Sequence, residues 1–336
     1  MIFLIFFLSI AVPIWIVVRW LLELIPEGGD VKKRAILISG CDTGFGHELA
    51  LKCAKNGFLV FAGCLTDQGA ENLQKESGGN ENLKTVKLDV TKDKDVNDAL
   101  EYVKNNLNGR TFWAVVNNAG IFSCYGPDDW CKMEDYNLAL EVNTLGVIRL
   151  TQAFKKLIKQ SKGRIITVTS VNGRLSSPCA GPYVVSKFGA EAYMDAIRQE
   201  LYGFGVQCSV LEPGIFRTPL LDEKAMLDRV NKVWSKLDDE TKEEYGEDFK
   251  DYFGRFWNKT YLELSTTKTH YVVDNYYHAI TAKFPRHRYY CGWDAIFVFV
   301  PLSILPTWFS DFAVRAIGKQ EVFPACVEKE LAKKKQ

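Results

Sequence analysis

From Ala35 onward the sequence alternates short apolar runs with helical stretches, and this alternation constrains the fold more than any other feature. "AILISG" reads as a buried strand ending in glycine, and "HELALKCAKNG" as a helix closed by Gly57. "FLVFAGC", "LKTVKLDV" and "TFWAVVNNAG" read as further strands, separated by helices over "DQGAENLQKE" and "DKDVNDALEYVKNNL". "GRIITVTS" and "VQCSVLEPG" supply later strands around a helix that carries Tyr183. A β-α-β-α succession of this kind predicts an α/β fold, a doubly wound parallel sheet with helices on both faces. No internal repeat or low-complexity linker interrupts it, so residues 33–292 read as one domain.

The two ends depart from that pattern. "MIFLIFFLSIAVPIWIVV" is an uncharged run of 18 residues, about 27 Å long as a helix and close to the hydrocarbon thickness of a bilayer. It lacks the basic n-region and small-residue cleavage site of a signal peptide, so residues 1–25 read as a membrane anchor. Arg19 and Trp20 follow at the boundary, where snorkelling is expected. Because Arg19, Lys32, Lys33 and Arg34 all lie after the run, the positive-inside tendency places the main domain in the cytosol. The basic tail at 321–336 ends in "AKKKQ", whose Lys333 and Lys334 resemble a dilysine retrieval signal of endoplasmic-reticulum membrane proteins. "NKT" at Asn258 is a glycosylation sequon that matters only if the domain is lumenal.

Residues 219–262 are charged and amphipathic, with interspersed Trp234, Tyr245, Phe249, Phe253 and Phe256, and read as a helical lid over a binding cleft. Residues 293–320 contain the apolar "AIFVFVPLSILPTWF", too short and too broken by Pro301 and Pro306 for a confident span; a membrane-surface segment or hydrophobic substrate entrance fits better. With 42 basic against 41 acidic residues there is no nucleic-acid footprint. The 9 cysteines show no C-x-x-C spacing, and with only 4 histidines no metal site is suggested; the odd cysteine count reads as reduced thiols.

Two local arrangements carry chemistry. "SGCDTGFG" follows the first strand and opens a helix, so Gly40, Gly44 and Gly46 permit a tight turn against a pyrophosphate at the helix N-terminus. The spacing is not the common G-x-G-x-x-G. Tyr183 and Lys187, four residues apart, share one helix face, where the ammonium favours the phenolate and makes the pair a candidate acid/base device.

The glycine pattern, "NNAG" from Asn117 to Gly120, Ser170 thirteen residues before Tyr183, the Tyr-x-x-x-Lys pair and "EPG" together resemble the short-chain dehydrogenase/reductase family, in family order from Lys33 to about Pro219. The resemblance implies a Rossmann-like fold and a nicotinamide-dependent oxidoreductase. It assigns Tyr183 as the acid/base, Lys187 to its activation and to the nicotinamide ribose, Ser170 to the reacting oxygen, and Asn143 of "EVNTLG" to a proton-relay water. Cofactor-binding positions are implied along the glycine turn at Gly40, Asp42, Gly44, Phe45 and Gly46. Others are Asp67, then Asp89 and Val90 in "LDV", and Asn117, Ala119 and Gly120 in "NNAG". Pro213, Gly214 and Thr218 in "EPGIFRTP" complete the set with Tyr183 and Lys187.

Neither the glycine turn nor "CLTD" after the second strand holds a base for a 2′-phosphate, and Asp42 would repel one, so NAD is favoured over NADP. "FAGCLTDQGAENLQ", "VNGRLSSP", "YVVSKFGAEAYMDAIRQEL" and "PRHRYYCGWDA" narrow the resemblance to the branch of microsomal retinol dehydrogenases and 17β-hydroxysteroid dehydrogenases. The expected function is oxidation of a small hydrophobic alcohol, or reduction of the carbonyl, by an enzyme partnered with the lipid bilayer and, as the family often is, a homo-oligomer. The alternatives are a 3-hydroxybutyrate-type dehydrogenase, an NADPH-dependent carbonyl reductase, and a non-catalytic membrane binding protein of the same fold.

Overall fold

A computed structural model describes the backbone of residues 2–317 and 321–334, and their side chains except at 2–10, 12, 16, 257 and 317. The sheet is built from β1 (Arg34–Ser39), β2 (Leu59–Cys64), β3 (Leu83–Lys87), β4 (Thr111–Asn117), β5 (Arg164–Val168), β6 (Gln207–Pro213) and β7 (Arg288–Cys291). Its order is β3-β2-β1-β4-β5-β6-β7 and every pairing is parallel. The β1, β2 and β5 runs read as solid apolar text because a parallel sheet covered on both faces buries both side-chain sets.

Alternate residues of each strand feed two cores. Ile36, Ile38, Val60 and Ala62 face helices α2 (Gly44–Lys55) and α11 (His270–Thr281), with α3 (Asp67–Glu76) beside them. Ala35, Leu37, Leu59 and Phe61 face α4 (Asp93–Asn105), α6 (Gly146–Ser161) and α7 (Gly181–Glu200). Strand order reverses between β1 and β4, so their carboxyl ends open a crevice at the usual ligand position of an open α/β sheet.

The expected strands and helices from Ala35 to Gly120 are present. β7 was not among them: "RYYC" is too short and mixed to signal a strand, and besides its pairing with β6 and the burial of Tyr289 and Cys291 it is fastened by charge. Arg288 pairs with Glu191 of α7, and also with Asp195 at 2.5 Å and Glu212 of β6 at 2.6 Å. Glu212 is fully buried and is also paired with Arg174, so these buried carboxylates retain counter-charges.

Between β6 and β7 lie α8 (Glu223–Trp234), α9 (Asp239–Tyr245) and α10 (Glu247–Leu264). Their aromatic residues gather on Trp130, with ring centroids 5.1 Å away at Trp234 and 5.5 Å away at Phe253. The same cluster contains Phe122 and Tyr183, so these helices pack against the tyrosine side of the sheet. Asn258 lies within α10, 4 % exposed, its Nδ2 donating to Glu223 O at 3.3 Å.

Helix α1 (Ile2–Glu23) precedes the sheet. Among the described residues no helix is long and apolar enough to cross a membrane, and the first ten side chains of the expected anchor lie outside those described. Arg19 does not point away to an interface. It donates to the carbonyls of Phe284 and Pro285 at 3.2 and 3.0 Å, while Glu23 pairs with Arg286 at 2.5 Å, so the end of α1 is clamped to the loop before β7.

Downstream, Pro306 breaks the apolar segment as expected, but Pro301 does not: it sits in the first turn of α12 (Val300–Ile304), which continues a wide helical turn at Ala295–Phe299, and α13 (Thr307–Ile317) follows Pro306. The last three residues of the expected apolar segment, 318–320, and residues 335–336 of the tail fall outside the described residues. Lys333 and Lys334 end α14 (Ala325–Lys334). The nine cysteines are free thiols.

Candidate active site

At the carboxyl end of β1 the chain turns through Gly40 and Gly44, both at positive φ (69° and 67°), before entering α2. A methyl group built on Gly40 would lie 2.7 Å from the Cα of Ala119, and one on Gly46 would collide with Asn118 and the Gly40 carbonyl. The glycines therefore let the turn lie directly on the end of β4. Asn118 ties the two together: its Nδ2 donates to Ser39 O and Gly40 O at 3.0 and 2.9 Å. Thr43 precedes α2 without a side-chain cap bond, which leaves the first backbone N–H groups free to receive an anion.

Asp42 is spoken for by the protein itself. Its carboxylate accepts from Leu65 N at 2.9 Å, Thr66 N at 2.8 Å and the Thr66 hydroxyl at 2.6 Å, joining the glycine turn to the tip of β2. Asp89 is part-buried; burial raises its pKa, but hydrogen bonds from Thr91 and the nearby Lys92 outweigh this and hold it below the usual carboxylate range. Asp67, by contrast, is not brought to the cleft: at the start of α3 its side chain is 88 % exposed and faces Lys87 at 3.2 Å.

A cleft of about 620 Å³ runs from this turn along the ends of β1, β4, β5 and β6. Of the expected residues it is lined by Gly40, Asp42, Gly44, Phe45, Asp89 and Val90. Ala119, Gly120, Ser170, Tyr183, Lys187, Pro213, Gly214 and Thr218 complete that lining. Gly46, Asn117 and Asn143 lie behind it. Asn117 donates to the hydroxyls of Thr151 and Thr167 at 3.0 and 3.1 Å and steadies β4 against β5. Sequence reasoning missed Thr66, Asn118 and Arg229, which also line the cleft. Thr66 and Asn118 sit inside motifs already singled out, whereas Arg229 is one charge among many on an amphipathic stretch and carries no signal of its own.

Asn143 sits in a wide turn, Glu141–Leu145, between α5 (Met133–Leu140) and α6. Such a turn inserts one residue into a helix and is common at functional sites. Its Oδ1 accepts from Ile121 N at 2.8 Å, and its Nδ2 donates to Ile121 O and to the Ser186 hydroxyl, both at 2.9 Å. The asparagine thus joins the segment after β4 to α7.

Tyr183 and Lys187 occupy the first turns of α7, both buried. The Tyr183 ring stacks on Phe122 with centroids 4.7 Å apart. Burial pushes the phenol up to about 12, against a hydrogen bond from the Ser170 hydroxyl that favours the phenolate. Burial also pushes the Lys187 ammonium down to about 8, against the attraction of Glu191. Lys187 Nζ donates to Val168 O at 3.2 Å and lies 5.5 Å from the Tyr183 ring.

Beyond Tyr183 a second cavity of about 270 Å³ opens, lined mainly by apolar groups such as Phe122, Leu175, Ile215, Leu264 and Val298. Ser170, Tyr183 and Gly214 line both spaces. A phenol, a hydroxyl and an ammonium thus meet where the larger, more polar cleft joins a more apolar pocket. Such a group can move a proton to or from an alcohol oxygen presented from the apolar side. The glycine turn, the free N–H groups and the length of the cleft fit a dinucleotide.

Residues 34–227 match the family model described as short chain dehydrogenase. A 3beta-hydroxysteroid dehydrogenase of Caenorhabditis elegans is 44 % identical over 90 % of this chain and 79 % of its own length. A 17-beta-hydroxysteroid dehydrogenase type 6 of Bos taurus is 39 % identical over 91 % of this chain and 95 % of its own. Retinol dehydrogenase 7 of Rattus norvegicus is 38 % identical over 84 % of this chain and 88 % of its own.

Proposed function

The chain belongs to the short-chain dehydrogenase family, in the branch of retinol and hydroxysteroid dehydrogenases, and from that premise we propose that it oxidises hydrophobic alcohols of the retinoid or hydroxysteroid class with NAD as the acceptor. The observation that carries this reading is the convergence of Ser170, Tyr183 and Lys187 at the junction of the dinucleotide-sized cleft with the apolar pocket.

When bound, the nicotinamide supplies the acceptor for the carbinol hydrogen and, in its oxidised form, a positive charge beside the phenol. The rest is done by the chain. Ser170 orients the alcohol oxygen by a hydrogen bond, and Tyr183 as phenolate takes its proton. Lys187 stabilises the phenolate and holds the nucleotide ribose. Asn143 keeps the Ile121 segment and α7 in register and supports the water through which Tyr183 exchanges its proton. The apolar lining keeps bulk water from the reacting oxygen.

NAD rather than NADP follows from Asp42. Its carboxylate is fixed at the tip of β2 by three donors, so it would face a 2′-phosphate with a fixed like charge. Gly40, Gly44 and Gly46 shape the seat of the diphosphate, with Asp89, Val90 and Ala119 along the adenosine side, and Gly120, beside Asn143 and Lys187, with Pro213, Gly214 and Thr218 at the nicotinamide; Phe45 packs edge-on against Phe216 at the same end. Asp67 has no such part in this arrangement.

The membrane assignment belongs to the same proposal. Trp293, Phe297, Ile304, Trp308 and Phe312 are exposed around the apolar pocket's outer wall, and Val298, Phe299 and Val314 of the same segment line its inside. A substrate dissolved in lipid would then enter from a bilayer surface, with residues 1–25 as the anchor, residues 219–262 as the lid and the endoplasmic-reticulum membrane as the location.

The test is NADH formation by membrane fractions offered retinol, androgen and estrogen alcohols and 3-hydroxybutyrate side by side, each with NAD and with NADP. Turnover of a retinoid or steroid with NAD at least about tenfold more efficient than NADP is expected. Activity on 3-hydroxybutyrate alone, or a preference for NADP, overturns the assignment.

A further inference from the structure

Arg229, on the inner face of α8, is part-buried and has no ion pair among the described residues. The charge of Asp222 favours the guanidinium without forming an ion pair with it, and Asp222 itself caps α8 by accepting from Ala225 N at 3.1 Å. Burial lowers the guanidinium pKa. A partly desolvated cation without a counter-ion is costly, and a bound anion relieves that cost.

Its position says which anion. Arg229 lines the larger cleft together with the glycine turn, at the edge of the apolar pocket that Phe122 lines. Its Nη1 donates to Leu220 O at 2.8 Å, and Leu220 follows Thr218, whose Cβ would lie 4.0 Å from a methyl group placed on Gly44. The guanidinium is therefore tied to the segment that passes beside Gly44, in the turn that leads into α2. Its carbon lies 5.8 Å from the Phe122 ring, on which Tyr183 stacks. The Nε and Nη2 donors have no hydrogen-bond partner among the described residues.

We propose that Arg229 is the lid half of a two-sided anion site. The α2 N-terminus holds the diphosphate of the dinucleotide from below, and Arg229, on the already packed α8, holds it from the lid side. This rests on the dinucleotide reading above. An anionic group on the substrate would present the same chemistry to the guanidinium, and the test separates the two sources.

ADP-ribose, which carries the diphosphate but no nicotinamide, and adenosine, which carries neither, are titrated into the full-length wild type, Arg229→Gln and Arg229→Lys, with binding read by calorimetry. Arg229→Gln is expected to weaken ADP-ribose about tenfold to thirtyfold, with Arg229→Lys between, while adenosine affinity stays the same in all three. ADP-ribose should protect residues 219–262 from limited proteolysis in the wild type and not in Arg229→Gln. Unchanged ADP-ribose affinity with a raised KM for a carboxylate-bearing steroid would move the site to the substrate and overturn the proposal; unchanged values throughout would also overturn it. A wild type that binds no ADP-ribose would sink the dinucleotide reading itself, a result distinguishable from either.

Discussion

Replacing Tyr183 with phenylalanine is expected to lower turnover by about 10²- to 10⁴-fold while leaving nucleotide affinity within about threefold. The phenol ring packs on Phe122, and the substituted ring keeps that packing, so the change removes the proton carrier and little else. The pH dependence should change with it. In the nucleotide-free protein burial pushes Tyr183 up to about 12, so its phenolate is scarce at neutral pH. Alcohol oxidation, which consumes the phenolate, should therefore rise with pH, whereas carbonyl reduction, which consumes the phenol, should stay nearly level until the pH approaches 12. The residual rate of Tyr183→Phe should be nearly flat over the same range. Steady-state rates from pH 6 to 10 in both directions check this, and a variant that turns over near the wild-type level would remove the assigned mechanism.

Replacing Lys187 with methionine should separate stability from function. The side chain is 3 % exposed, and its single described hydrogen bond goes to Val168 O. Keeping it charged in that setting costs folding energy, because burial pushes the folded-state pKa down to about 8 from an ordinary 10.5. Below pH 8 both states hold the proton and the cost is fully present. Between pH 8 and 10.5 the folded state releases the proton and the unfolded state keeps it, so the wild type gains stability as pH rises. Methionine, of similar length and uncharged, should raise Tm at pH 7 by about 2–4 °C. That advantage should shrink toward pH 10.5, while turnover falls by at least about 10²-fold and nucleotide affinity weakens. A lower Tm at pH 7 would mean that the ammonium is a structural tie whose bonds outweigh its burial.

The fold was legible where the sheet is buried on both faces, since strands such as β1 and β2 then become unbroken apolar text with glycine at the exit. β7 was not, because Arg288 joins the sheet through carboxylates on α7 and β6 that only the folded chain assembles. The residues at the junction of cleft and pocket were legible in part: Tyr183 and Lys187 through their spacing on one helix, and Ser170, a short loop before it, only through the family resemblance. Asp67, expected at the cofactor, lies outside the cleft lining. The second strand ends at Cys64, and Leu65 and Thr66 give their backbone donors to Asp42, which leaves Asp67 to start α3 and face solvent. Arg19 shows a similar limit, since its carbonyl partners at Phe284 and Pro285 are far away in sequence. Arg229 was invisible for the same reason: its meaning depends on which side of α8 faces the glycine turn.

The most direct test of the central claim is to follow the carbinol hydrogen. A retinoid or hydroxysteroid alcohol that the enzyme turns over, deuterated at the carbinol carbon, is incubated with NAD and the nucleotide is recovered for mass spectrometry. The account predicts one deuterium per reduced nucleotide, in equal amount to the carbonyl product, and neither in Tyr183→Phe above its residual rate. Carbonyl product without deuterium in the nucleotide, or product formed equally by Tyr183→Phe, would contradict it.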